Sequence, residues 1–409
     1  MATKYSNSQG TLEVPLIQQP IAFIEDDQYP QTGGRLPADK IKVRFRGKGF
    51  ARHQLQGLNV SLLEIFRQYM SPYNSNGSQL ANAILGVRQN DYMSGLDDLA
   101  TAIDAFVEQA QSATADVELA PVSVSNQKLT ADVLVANKTG HRLPSGVGFR
   151  RAFLELRVID NSSGQTVWCS GCTNELGMIT NGSGSQSERL PSELFDVYKD
   201  GSKPANHDYP APCDANYLPG INPQYYQPHY YWDLTNGTGL AITRQDQVQI
   251  YEELNLNNQC ALTTSFIRRD YQLKDNRLLP FGWTSTGPLR PDKTPIIPSE
   301  FLHETLPVKV GNDPNYANGS GQSVVRYEVP LPKGLDPNNL TVKATLYYQS
   351  IPPYYLNDRF KQAPDQPATQ RLYYLTSNLQ TKGTAIENWK FAIMSASQPV
   401  TVQAAALRR

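Results

Sequence analysis

Apolar residues change their spacing twice along this chain. Residues 1–50 show no sustained period, and Pro15, Pro20, Pro30 and Pro37 interrupt any helix. This segment is predicted to be extended and irregular. Leu58, Leu62, Ile65, Phe66 and Tyr69 then recur at i, i+4, i+7, i+8 and i+11, one face of a helix. Ser71-Pro72 ends it, because the residue before proline avoids the helical region. A second helix is predicted from about Leu96 to Gln111, striped by Leu99, Ile103, Phe106, Val107 and Ala110. Asp97 and Asp98 sit in its first turn, where the helix dipole favours carboxylates. Residues 51–114 thus read as a helical hairpin.

After Ala115 the period becomes two. Leu129, Ala131, Val133 and Val135 alternate with polar or smaller residues, and Leu154, Leu156 and Val158 alternate with Glu155 and Arg157. Val248 and Ile250, then Val325, Tyr327 and Val329, then Val342, Ala344, Leu346 and Tyr348 repeat the pattern. Each is the signature of a half-buried strand. Asn161-Ser162-Ser163-Gly164 and Asn318-Gly319-Ser320-Gly321 supply turn chemistry between them. The expected fold is mainly β with a small helical N-terminal part: a helical hairpin followed by a β-sandwich over 115–409. A Tyr/Pro-rich insertion at about 178–244 interrupts the sandwich, and a segment of that length is usually a functional surface.

Composition narrows the function classes. Aromatics make up 10% of the chain, with 22 Tyr, against 18% charged residues, which suits β structure. The net charge of -1 gives no electrostatic basis for holding nucleic acid. The short basic run from Lys42 to Lys48 reads better as the outer face of a strand. No stretch approaches the ~18 apolar residues of a membrane span. The segment after Met1 lacks the apolar core of a signal peptide.

Five histidines are present, and two stand in distinctive settings. His141 lies in Asn137-Lys138-Thr139-Gly140-His141-Arg142-Leu143-Pro144-Ser145-Gly146, a turn stiffened by Gly and Pro, with Arg150 and Arg151 just before the next strand. A rigid turn presenting one imidazole is what an axial metal ligand requires. His53 lies in Arg52-His53-Gln54-Leu55-Gln56-Gly57-Leu58-Asn59, where the first helix begins. The competing reading of each is a hydrogen-bonded structural or surface histidine. Cys169-Ser170-Gly171-Cys172 is a C-x-x-C followed by Thr173, not the His that covalent haem attachment needs. It closes a strand rather than opening a helix, which favours structural thiols or a disulfide. Cys213 and Cys260 are too far apart in sequence to complete a zinc site. No G-x-S-x-G, H-E-x-x-H or P-loop occurs, so no catalytic constellation marks an enzyme.

The stretch Asn137 to Ser170 resembles the "TGH-x-x-P-[ST]-G … RRA-[FW]-L" segment of large multihaem cytochrome c-type proteins. Three more blocks follow that family's order. Ala51 to Asn59 is similar to its "RH-x-x-x-G-x-N" lead-in to a helix; Asp246 to Glu252 with Lys274 to Pro280 is the next, and Leu346 to Ile351 the last. The resemblance implies a haem-free, β-rich portion lying C-terminal to a haem region. This chain carries no C-x-x-C-H of its own. The implied cofactor is therefore haem c held by an upstream region or by a C-x-x-C-H-bearing partner chain. His53 and His141 become candidate distal axial ligands of such haems, and Arg150 and Arg151 candidate partners of haem propionates. The implied location is periplasmic or extracellular, with a leader upstream of the haems. The alternative is a haem-independent, secreted β-sandwich that binds a surface or polysaccharide. Its stacking platforms would be Tyr225, Tyr226, Tyr230, Tyr231 and Trp232.

Overall fold

The computed structural model describes residues 2–7, 10–15, 21–23, 42–44, 59–69 and 98–402, the last range apart from 185, 195–228, 230–231, 234–235, 259–260, 304 and 318. The chain divides into two units, Met1–Gly57 and Leu58–Arg409. In the first, β1 (Ala2–Asn7) pairs antiparallel with β2 (Gly10–Pro15), and β3 (Ile21–Phe23) with β4 (Lys42–Arg44). The alternating basic run does begin on a strand.

The second unit opens with α1 (Val60–Tyr69) and α2 (Asp98–Ala113), which pack against one another. The inward face of α2 is the one its period marks: Ile103, Phe106 and Ala110 are buried, and Phe106 meets Phe391 edge-on at 5.0 Å. The inward face of α1 is rotated from the apolar stripe. Val60, Ser61, Glu64 and Ile65 are buried while Leu62 is 40% exposed. The buried polar groups on this face are satisfied: the Ser61 hydroxyl meets the Ser350 hydroxyl at 2.8 Å, and Glu64 is paired with Arg67 of the same helix at 2.9 Å.

The strands that follow are β5 (Ala115–Leu119), β6 (Ser123–Ser125), β7 (Lys128–Asn137), β8 (Arg151–Asp160), β9 (Gln165–Ser170), β10 (Trp232–Asp233), β11 (Thr238–Gly239), β12 (Ala241–Ile242), β13 (Ile250–Leu256), β14 (Leu262–Thr263), β15 (Tyr271–Asp275), β16 (Gln322–Pro330), β17 (Leu340–Gln349), β18 (Phe391–Pro399) and β19 (Thr401–Val402). Sheet I runs β12-β16-β7-β6-β19, with β5 also on β7. Sheet II runs β14-β13-β8-β17-β18, with β15 on β13 and β9 on β8. Most pairings are antiparallel; β12 with β16 and β19 with β6 are parallel. The two sheets share one core. Leu129, Ala131, Val133, Val135, Val325, Tyr327 and Val329 from sheet I enclose it with Leu154, Leu156, Val158, Val342, Ala344 and Leu346 from sheet II. The period-two residues are the ones that face inward, and this is a β-sandwich preceded by helices.

Alternation misleads on one point. Glu155, Arg151, Thr345 and Gln349 occupy outward positions of β8 and β17, yet all are buried. The outer face of sheet II has its own cover. Ile179 and Leu190, from the segment after β9, pack with Val248 and Ile250 against Phe153 and Tyr347. Among the described residues, three further helices were not signalled by period: α3 (Ser299–His303), α4 (Pro353–Gln362) and α5 (Pro367–Ser377). Prolines at their first turns start α4 and α5. Tyr354 of α4 is buried, with the Arg151 guanidinium 5.3 Å from its ring.

Leu156, fully buried in the middle of β8, tests the shared core. Leu156→Ala should cost about 2–5 kcal/mol through lost transfer energy and the cavity left behind. Urea unfolding should show a lower midpoint at unchanged slope.

Candidate functional site

The turn between β7 and β8 is held at both ends. Asn137 closes it from within: Nδ2 donates to the carbonyls of His141 at 2.8 Å and Leu278 at 3.1 Å. Asn137 Oδ1 accepts from the Thr139 amide at 2.9 Å. Leu143 and Leu278 exchange backbone hydrogen bonds of 2.9 and 2.8 Å, and the Leu143–Pro144 peptide is cis. Arg142 anchors the outside by pairing with the buried Asp275 and donating to the Thr305 carbonyl. A loop so tied presents its remaining groups in fixed positions.

His141 is the group presented. Its side is exposed, and Nδ1 lies 3.0 Å from the Arg142 carbonyl and 3.2 Å from the Thr139 hydroxyl. The Thr139 hydroxyl has one proton, which Asn137 Oδ1 at 2.7 Å and the His141 carbonyl at 2.9 Å compete for. Both neighbours of Nδ1 therefore act as acceptors, and Nδ1 carries the proton. In the neutral ring Nε2 then keeps its lone pair, the tautomer a metal-ligating histidine needs, oriented by a backbone carbonyl.

The two arginines behave differently. Arg151, the first residue of β8, is 1% exposed. Its two terminal nitrogens meet Glu193 at 2.7 and 2.6 Å, and its Nε donates to Gln349 at 2.7 Å. Glu193 also accepts the Ile179 amide at 2.9 Å. Burial lowers the Arg151 pKa, and the Glu193 carboxylate more than reverses this, so the guanidinium stays charged. Arg151 thus faces the interior and ties the cover of sheet II to β8. Arg150 is half-buried and hydrogen-bonds the Tyr348 hydroxyl; its Nε has no partner among the described residues.

Beside this turn a cleft of about 520 Å³ is walled by Arg142, Trp283, Pro288, Ile297, Leu302 and Thr305. Phe281 and Phe301, neighbours in sequence of its lining, are 81% and 63% exposed. The cleft is mostly apolar with a few polar groups, within the usual size range of small-molecule sites.

Buried polar groups lie behind the turn. Lys274 pairs with Glu252 at 3.0 Å, and Arg277 bridges Asp275 and Glu253 at 2.7 and 3.0 Å. His229 is 2% exposed, with Nε2 at 2.9 Å from Asp313 and the Asn276 amide 3.4 Å from Nδ1. Both ring nitrogens are committed inside the protein, so His229 is structural. Cys169 and Cys172 form a disulfide, and their sulfurs lie within 4.8 Å of a Glu155 carboxylate oxygen. His53, His207, Cys213, Cys260, Tyr225, Tyr226, Tyr230 and Tyr231 lie outside the described residues. Glu193, which anchors Arg151, carried no sequence signal, and Asp275, which anchors Arg142, lay in the Lys274 to Pro280 block without a role assigned to it; each is paired across a long stretch of chain.

The fold and this turn define a β-sandwich that, among the described residues, offers an oriented, exposed imidazole at His141. No protein-family profile and no curated protein matches the chain. Among solved structures it is similar to a penta-heme cytochrome c552 from Thermochromatium tepidum, with 12% identity and a TM-score of 0.31. The similarity covers 82% of this chain and 49% of that one, so this chain spans about half of that protein's length.

Burial, opposed by Asp313, pushes the His229 pKa below its ordinary value of 6.5. The unfolded chain therefore binds a proton more readily than the folded one. The stabilising contribution is full above pH 6.5 and is lost as pH falls through the lower folded value. Urea midpoints should fall as the pH drops from 6.5 through the lower folded value, and His229→Asn should flatten the fall.

Proposed function

We propose that this chain is a non-catalytic module of an exported multihaem cytochrome c-type electron-transfer assembly. It supplies distal histidine ligands and structural cover to haem c held by an upstream region or by a C-x-x-C-H-bearing chain, in the periplasm or outside the cell. The observation that carries the reading is His141. Its Nδ1 is hydrogen-bonded to the Arg142 carbonyl at 3.0 Å, its side is exposed, and its turn is pinned by Asn137, Leu278 and Asp275. A structural histidine has no use for a free, oriented Nε2; an axial ligand does. The resemblance of Asn137 to Ser170 to the cytochrome segment supplies the class of metal. His53 enters the proposal on its sequence block alone. Of the two arginines, Arg150 is the one we assign to a carboxylate such as a propionate, since its Nε has no partner among the described residues. Arg151 supports the strand behind the turn through Glu193.

A second histidine on the iron sets the spin state and raises or lowers the potential according to its basicity and burial. Donating a ligand from a rigid turn is therefore a way for a haem-free chain to tune a haem it does not hold.

The test is a reduced-minus-oxidised visible spectrum and a potentiometric titration of the protein purified from its native source, with co-purifying chains identified by mass. A cytochrome signal that travels with this chain is expected. His141→Ala should convert one haem from six-coordinate low-spin and shift its potential. A colourless, partnerless protein, or a haem spectrum and potential untouched by the substitution, would overturn the role of His141.

A further inference from the structure

The proposed electron-transfer role leaves the covered outer face of sheet II without a task. Four groups meet there. Cys169 near the end of β9 and Cys172 just past it are joined by a disulfide. Gly171 makes the bend: its φ is +83°, and a Cβ there would stand 2.3 Å from the Leu154 carbonyl oxygen. One oxygen of Glu155 lies within 4.8 Å of both sulfurs. That carboxylate is held by Arg157 at 2.6 and 3.0 Å and by Lys390 at 3.0 Å. Lys390 is buried, 4.0 Å from the Tyr347 ring centre.

Two features are out of place for a purely structural staple. A disulfide constrains the unfolded chain in proportion to the logarithm of the loop it closes, and a separation of three residues is near the minimum. The charges are also unequal. Lys390 and Arg157 bring two positive charges against the single negative charge of Glu155. Lys390 is buried and a third of the Arg157 side chain is exposed, so water screens part of this surplus and the part held inside is costly unless it is balanced. A disulfide is neutral and leaves the surplus standing, whereas a thiolate at this position would cancel it.

We propose that the Cys169–Cys172 disulfide is a two-electron redox centre, opened by a dithiol reductant, in which the surplus positive charge of Lys390 and Arg157 receives the Cys169 thiolate as it leaves. Cys172 is the sulfur for attack. It is 4% exposed against 0% for Cys169, and the chain after it comes to the surface at the exposed Glu175 and Leu176. The reductant's thiolate bonds to Cys172 Sγ, the S–S bond breaks, and its electron pair goes to Cys169 Sγ. The second thiol of the reductant then loses its proton and attacks the mixed disulfide, releasing Cys172. Of the two protons given up by the reductant, one ends on Cys172 and the other goes to solvent, while Cys169 stays a thiolate beside Lys390 and Arg157. The dithiol is oxidised to a disulfide, and the protein disulfide is reduced to one thiol and one thiolate.

Charge predicts the direction in which each neighbour acts. Arg157→Gln removes a cation and should make reduction less favourable. Glu155→Gln removes the anion that competes with the thiolate and should make it more favourable. Each change should be roughly tenfold in the equilibrium constant, or about 30 mV for a two-electron couple. The full chain is equilibrated in poised mixtures of reduced and oxidised dithiothreitol without denaturant. It is then trapped by alkylation, and the peptide holding Cys169 and Cys172 is read by mass, with circular dichroism on the same samples. Reduction with the fold intact, and shifts of opposite sign in the two variants, are the expected results. Reduction only where circular dichroism shows unfolding would overturn the proposal, and so would an Arg157→Gln constant equal to that of the unaltered chain. Arg157 has a third of its side chain exposed, so this variant keeps the test decisive should Glu155→Gln fail to fold. No haem enters the measurement, and its outcome stands apart from that of His141.

Discussion

Arg151 has to be neutralised inside the protein, and much of the molecule is arranged around that requirement. An unpaired guanidinium in an apolar interior is among the most expensive groups a fold can contain. Glu193 answers it with a two-pronged ion pair, and Gln349 of the adjacent β17 takes the Nε proton. Glu193 in turn fixes Ile179 through its amide, and Ile179 with Leu190 roofs Phe153. One ion pair thus joins the edge of the His141 turn, the middle of sheet II and the cover over it. Such a pair contributes little net stability relative to an apolar substitute, but removing either member strands the other. Its value here is positional: it fixes where the cover lies and where β8 begins.

β8 is consequently a strand with two interiors. Its even-numbered residues Ala152, Leu154, Leu156 and Val158 enter the core shared with sheet I. Its odd-numbered residues Arg151, Phe153 and Glu155 enter a second, mixed layer beneath the cover, where charged pairs flank an apolar cluster around Phe153. The division of labour is chemical. The apolar face supplies the hydrophobic free energy of folding, and the polar face supplies geometry, through ion pairs and hydrogen bonds that are satisfied in only one arrangement. The disulfide and the Glu155, Arg157 and Lys390 cluster belong to the second layer.

The parts of this architecture that were legible in the sequence depend on short-range repetition. Period-two runs identified β7, β8, β16 and β17, because a residue and its second neighbour always share a face. The Asn137 to Gly146 stretch announced a stiff turn, because Gly and Pro act on their own backbone. The illegible parts depend on distant partners. Alternation places Glu155 on the outer face but says nothing of whether water or a cover lies there. The stripe of α1 joined Leu62 to Ile65, and only the fold, with Ser61 against Ser350, 289 residues away, left Ile65 buried and Leu62 exposed. Glu193 is one of many acidic residues until the fold sets it against Arg151, 42 positions earlier. His141 lay between these cases: its turn could be read locally, whereas the tautomer followed only from the positions of Thr139 and Arg142.

A strand that carries charge on the face later roofed over has a consequence during biosynthesis. Until residues 171–194 close over sheet II, its outer surface presents Arg151, Glu155, Arg157 and Lys390 to water. A half-assembled sheet usually exposes an apolar face and sticks to its neighbours. This one sets charges around the apolar Phe153 and Tyr347, and charges placed there oppose association with another sheet. The charges that must be neutralised in the finished protein thus keep its precursor apart from other chains while the roof arrives.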